Sequence, residues 1–84
     1  MELELHLSEK TIAQYANLAV ITHTGSEFVL DFAAMMPGLP KPHVVSRIVM
    51  TPDHAKRLLA ALADNVGMYE EQFGEIKAPG EGEL

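Results

Sequence analysis

Six apolar residues between Ala55 and Phe73 constrain this chain more than any other feature. Ala55, Leu59, Leu62, Val66, Tyr69 and Phe73 are spaced four, three, four, three, four. At about 100° per residue they fall on one narrow stripe of a helix, with Leu58 at its edge. Thr51-Pro52-Asp53 supplies the start. The Thr hydroxyl can cap a free N–H, Pro suits the first helical position, and a carboxylate suits the positive end of the dipole. Gly74 supplies a left-handed stop. The spacing therefore predicts one long amphipathic helix from Thr51-Pro52 to about Phe73, whose stripe should pack on the chain's own sheet.

The rest of the chain reads as strands. Leu3, Leu5 and Leu7 alternate with Glu2, Glu4, His6 and Ser8, the period of an amphipathic strand. Glu9-Lys10-Thr11 reads as a turn. Tyr15 to Thr24 and Phe28 to Ala33 form two more strands around Thr24-Gly25-Ser26, a hairpin with Gly at its centre. Residues 35–42 contain Pro37, Gly38, Pro40 and Pro42 and must form a loop, because proline cannot donate to a ladder. Val44 to Met50 is a further strand. Each connection between strands is too short for a crossover helix, so the sheet is antiparallel. The expected fold is α+β: a three- or four-stranded antiparallel meander followed by one long C-terminal helix. Residues 1–76 are read as a single small domain and 77–84 as a disordered acidic tail.

An 84-residue chain has a marginal core, since burial gain and chain entropy nearly cancel at this size. With no cysteine, neither disulfides nor thiolate-bound metals can staple it. Association is the remaining staple, and a homo-oligomer, a dimer or higher, is expected. The pattern on the sheet agrees. Phe28, Leu30 and Phe32 make one inner face, yet Val29 and Ala33 on the other side are also apolar, as are Val45 and Val49 around Arg47. Two part-apolar faces in so small a chain suggest a second layer from another protomer.

A second helix face carries Lys56, Ala60, Ala63, Gly67 and Glu70. Two copies laid antiparallel about Ala63 would bring Lys56 of one near Glu70 of the other, the self-complementarity a two-fold contact requires. The same row also suits a solvated face. The helix charges oppose its dipole: Lys56 and Arg57 lie near the positive end, Glu70 and Glu71 near the negative end. Asp53 can offset the first mismatch by an i,i+3 or i,i+4 pairing. An anion near Arg47, His54 and Arg57 would also offset it, which makes those three a candidate anion or partner site.

Chemistry-bearing motifs are otherwise few. The histidines His6, His23, His43 and His54 show no metal-ligand spacing, and there is no nucleophile elbow, phosphate-cradling loop or dinucleotide fingerprint. No catalytic residue, cofactor or metal is expected. Met35-Met36 suits either an adaptable contact surface or a plug at a core edge. Asp31, disfavoured within a strand, can pair with Arg47 if their strands adjoin. The net charge of −6 argues against nucleic acid as a partner, and no apolar run approaches the length of a membrane span. The acidic start Met1-Glu2-Leu3-Glu4 lacks the basic region of a signal peptide, so the expected setting is the cytoplasm.

Glu27-Phe28-Val29-Leu30-Asp31-Phe32, Pro37-Gly38, Ser46-Arg47-Ile48-Val49-Met50-Thr51-Pro52, His54-Ala55-Lys56-Arg57-Leu58-Leu59, Asn65, Tyr69-Glu70 and Phe73-Gly74-Glu75-Ile76 form a distinctive string. It resembles a family of small prokaryotic proteins known as a domain of unknown function. The resemblance covers roughly residues 14 to 76 and implies no activity, substrate or site residue. In topology alone, a sheet followed by a helix is also similar to bacterial export holdase chaperones, an analogy of fold that carries no function. The residues themselves lead to a non-enzymatic homo-oligomeric module that binds other proteins. The alternative is a small-ligand or anion-binding protein, an enzyme among the options, that uses the helix start.

Overall fold

A computed structural model describes residues 3–77. The chain divides into two compact units, Met1–Val49 and Met50–Leu84. The first carries strands β1 (Leu18–His23), β2 (Phe28–Ala34) and β3 (His43–Met50), and the second carries helix α1 (Pro52–Phe73). The strands form one antiparallel sheet in the order β1-β2-β3. The fold is therefore α+β with three strands. The expected tail lies outside the described residues apart from Lys77.

β2 occupies the centre of the sheet. It pairs with β1 in the register Leu18↔Ala33, Val20↔Asp31, Ile21↔Leu30 and His23↔Phe28. Alternation then puts Phe28, Leu30 and Phe32 on one face and Val29, Asp31 and Ala33 on the other. Among the described residues the buried apolar ones are Leu30, Ala33 and Ala34, all on β2. A central strand is shielded from both edges, which is why burial concentrates there.

The hairpin turn is held by a hydroxyl. Thr24 donates its N–H to the Glu27 carbonyl at 2.9 Å, and its Oγ1 accepts from the N–H groups of Ser26 and Glu27 at 3.2 and 3.3 Å. Gly25 lies at the centre of the turn as expected and has no positive φ; among the described residues the glycines that do are Gly38 and Gly74. A Thr side chain that bonds the backbone ahead of it can shape a turn without left-handed geometry.

At the other end of the hairpin, Asn17 stands in for a ladder residue. Its backbone N–H donates to the Ala33 carbonyl at 3.0 Å. Its side chain donates to the Met35 carbonyl at 2.9 Å and accepts from the Met35 N–H at 2.8 Å. The amide thus pairs both backbone groups of Met35, as a facing strand residue would. β1 accordingly begins at Leu18 rather than at Tyr15.

The expected N-terminal strand does not form. Among the described residues before Leu18 no strand is present, although the Ser8–Thr11 turn is made through a Thr11 N–H to Ser8 carbonyl bond of 3.0 Å. Leu3, Leu5 and Leu7 are 77%, 89% and 76% exposed. Alternation specifies which side chains share a face, but a strand also needs a neighbour to satisfy its N–H and C=O groups.

α1 begins and ends where the sequence places it. Thr51 is the N-cap, with its hydroxyl accepting from the His54 N–H at 3.4 Å, and Pro52 opens the first turn. At the C-terminus Gly74 has φ 100° and ψ 166°, a positive φ outside the left-handed helical region expected of it. Its N–H donates to the Glu70 carbonyl, and the Glu70 carboxylate accepts from the Ile76 N–H at 2.9 Å. No residue of α1 is buried. Along the stripe, Leu59, Leu62 and Phe73 are 68%, 59% and 66% exposed.

Asn17→Ala removes two hydrogen bonds to Met35 at an exposed position and should cost about 1 kcal/mol. Urea unfolding followed by far-UV circular dichroism measures it, with Asn17→Gln expected not to restore the loss because the longer amide misses the register.

Candidate functional site

Asp31 on β2 and Arg47 on β3 meet across the sheet. Arg47 Nε donates to Asp31 Oδ1 at 2.6 Å and Nη2 donates to Oδ2 at 3.0 Å, a bidentate pair. The Asp31 side chain is 18% exposed and that of Arg47 66%. The planar guanidinium fork matches the carboxylate, so each oxygen is taken by its own N–H. These hydrogen bonds hold the Asp31 carboxyl below the usual carboxylate range and push the Arg47 guanidinium higher. The pairing foreseen from sequence is present, and it explains an aspartate in mid-strand: the carboxylate stays ionised because its counter-charge is built into the next strand.

The helix start contains a second closed set of charges. Arg57 Nη1 donates to Asp53 Oδ2 at 2.7 Å, the i,i+4 pairing. The Thr51 hydroxyl donates to Asp53 Oδ1 at 2.6 Å while accepting from the His54 N–H. The Thr51 hydroxyl, followed by Arg57, holds the Asp53 carboxyl down at about 2. Thr51 therefore joins the cap to the ion pair through one oxygen atom.

These contacts bear directly on the candidate anion or partner site. Arg47 lies on β3 in the first unit, and His54 and Arg57 lie in the first turns of α1 in the second. Arg47 is bound by Asp31 and Arg57 by Asp53. An anion at either guanidinium would have to share it with a carboxylate already in place.

The other polar candidates are scattered. His6 lies in the N-terminal segment, His43 opens β3, and His23 stacks on Phe28 across the hairpin with ring centroids 5.4 Å apart. Among the described residues no three His, Asp or Glu side chains are grouped so that they could hold a metal ion. An open groove of about 330 Å³ lies beside Phe32, Ser46 and Ile48, with Ile12, Gln14 and Ala16 along its rim. A smaller one of about 100 Å³ is lined by Met35, Met36, Leu39, Pro40, Lys41 and Pro42. Neither gathers an acid, a base and a nucleophile. Met35 and Met36 are about half exposed, so they line a surface pocket rather than plugging a core.

Sequence reasoning missed Asn17 and the second role of Glu70. Asn17 gave no signal, because an Asn before a strand is ordinary. Glu70 did give one: a Glu four residues before a helix-ending Gly can reach the N–H groups beyond it.

A family described as a protein of unknown function, DUF3467, matches residues 2–78. The chain belongs to this family. The match begins well before residue 14, so the Leu3-Leu5-Leu7 segment lies within the family's extent. No curated protein and no solved structure matches the chain. No helix among the described residues is long and apolar enough to cross a membrane.

Two measurements probe the ion pairs. The first is a double-mutant cycle on Asp31→Ala and Arg47→Ala read by thermal melting. The double variant should lose less than the sum of the single losses, because either single change strands the other charge. The second is pH. The folded carboxyl of Asp53 is depressed, so its stabilisation is present above the unfolded value of about 3.9. It should be lost as pH falls from about 4 toward about 2. Melts of the native chain and Asp53→Asn should therefore differ at pH 6 and converge toward pH 2.

Proposed function

We propose that this member of DUF3467 is a non-enzymatic homo-oligomeric module that binds other proteins. One observation carries the reading. Among the described residues Leu30, Ala33 and Ala34 are the buried apolar side chains, while twenty-one large apolar residues are exposed. Scattered surface apolar residues are normal, but contiguous ones mark interaction sites. Here they are contiguous. Val20 and Val49 share one sheet face with the Asp31–Arg47 pair, and Ile21, Val44 and Ile48 share the other. Ile21, Val44 and Val49 are 58%, 57% and 54% exposed. Such faces are stable in water when another protein surface covers them.

The second reading, a small-ligand or anion-binding protein at Arg47, His54 and Arg57, finds less support. Both guanidiniums are already neutralised by carboxylates of the same chain. The bidentate pair on Asp31 leaves Arg47 as part of the sheet surface, available to a protein partner through its outer edge.

Native mass spectrometry separates the two readings. The expected spectrum shows multiples of 9.2 kDa at micromolar concentration with no small molecule retained. A monomer carrying a bound small anion would overturn the oligomeric reading in favour of the second.

A further inference from the structure

We infer that α1 pairs with α1 of a second copy, antiparallel, with the two-fold axis at Ala63. This deepens the homo-oligomeric reading above and rests on it. The stripe of α1 from Ala55 to Phe73 is exposed at Leu59, Leu62 and Phe73. Its spacing is that of a heptad seam, with Leu59, Val66 and Phe73 at one core position and Ala55, Leu62 and Tyr69 at the other. The sequence of spacings is the same read in either direction. An antiparallel copy therefore matches the stripe to itself: Leu62 against Val66 of the second copy, Leu59 against Tyr69, and Ala55 against Phe73. The smallest residue of the seam then meets one of the largest, as interdigitating layers require.

Charge selects the same register. In an antiparallel seam each flanking row faces its own counterpart, offset by two residues from the core layers. One flank holds Lys56, Ala63 and Glu70. That offset sets Ala63 opposite itself and Lys56 opposite Glu70 of the second copy, once on each side of the axis. The other flank sets Leu58 opposite Gln72. A parallel pair would instead set Leu58 against Ala63 and Asn65 against Glu70, forming no ion pair. Lys56 has no carboxylate partner among the described residues. Glu70 is positioned by the Ile76 N–H through Oε2, which leaves Oε1 for a cation. The antiparallel neighbour also brings Glu70 beside a positive helix end and Lys56 beside a negative one, relieving both mismatches with the dipole. Ala60 and Gly67 of the small-residue row lie farther round the helix and take no part.

The area suffices. Leu59, Leu62, Val66, Tyr69 and Phe73 are 37–68% exposed. Together they hold on the order of 500 Å² per copy, so that a pair reaches on the order of 1,000 Å², the lower bound of a specific interface.

The test uses charge reversal and thiol cross-linking, the latter made clean by a chain with no cysteine. Lys56→Glu should raise the dimer Kd about tenfold in analytical ultracentrifugation at unchanged helix content, since two like-charge contacts replace two ion pairs. Lys56→Glu combined with Glu70→Lys should recover most of that loss. Independently, Ala63→Cys should be joined by a short bis-maleimide into a covalent dimer, while Asp64→Cys, on the far side of the helix, should not. An oligomer indifferent to Lys56→Glu overturns the α1 pairing and leaves the oligomeric reading standing. So does cross-linking of the Asp64→Cys variant without cross-linking of the Ala63→Cys variant. A monomer across the whole concentration range overturns both.

Discussion

Everything in the first unit hangs on β2 having a neighbour on each edge. A strand's backbone groups must be paired when they leave water, and two neighbours satisfy both rows. β2 is the strand so placed, and the buried residues lie there: Leu30, Ala33 and Ala34. Two of the three are alanines, so the hydrophobic gain is small and backbone pairing carries a correspondingly larger part of the order. Asp31 becomes tolerable in that position because Arg47 comes with the adjacent strand. The ion pair depends on the pairing of β2 with β3 and, once made, resists its slippage. A shift of one residue would turn Arg47 to the opposite face.

Where so little apolar surface is buried, the ends of elements are set by side chains that bond backbone. Thr24 shapes the hairpin turn, Asn17 closes its open end, Thr51 caps α1, and Glu70 reaches past Gly74 to Ile76. Each supplies an acceptor or donor to a group that would otherwise depend on water. Each also specifies position: Asn17 pairs Met35 and so limits where β1 and β2 can stop. Such bonds contribute roughly 1 kcal/mol apiece, and in a chain with a slight core they are a sizeable part of the total.

The helix, the three strands and the Asp31–Arg47 pair were legible in the sequence because each is written locally or through one obvious partner. The stripe from Ala55 to Phe73 has only one period that fits, and Thr51-Pro52-Asp53 and Gly74 bracket it. What failed was non-local. Leu3, Leu5 and Leu7 alternate correctly, but alternation does not name a neighbouring strand. The Thr24-Gly25-Ser26 turn is where the sequence puts it, but the Thr24 hydroxyl bonds that shape it were not read there. Which surface covers the helix stripe is likewise not written in a period of apolar residues. At the candidate anion site, sequence offered Asp31 and Asp53 as partners for the cations, and the side-chain geometry shows both pairs made.

That occupation changes what the charged residues contribute. With Arg47 and Arg57 neutralised at short range, neither offers the strong free positive field that draws a small anion from solution. Lys56 and Glu70 are differently arranged. Lys56 stands on the flank of an open apolar stripe, and Glu70 stands on the same flank about four turns on. Placed so, they add little within one helix, since residues that far apart cannot meet. In the antiparallel pairing inferred above, Lys56 of one copy would meet Glu70 of the other. The same antiparallel neighbour would remove the stripe from water and reverse the unfavourable end charges. In that pairing, exposure of the stripe, the charges on its flank and the dipole mismatch would share one remedy.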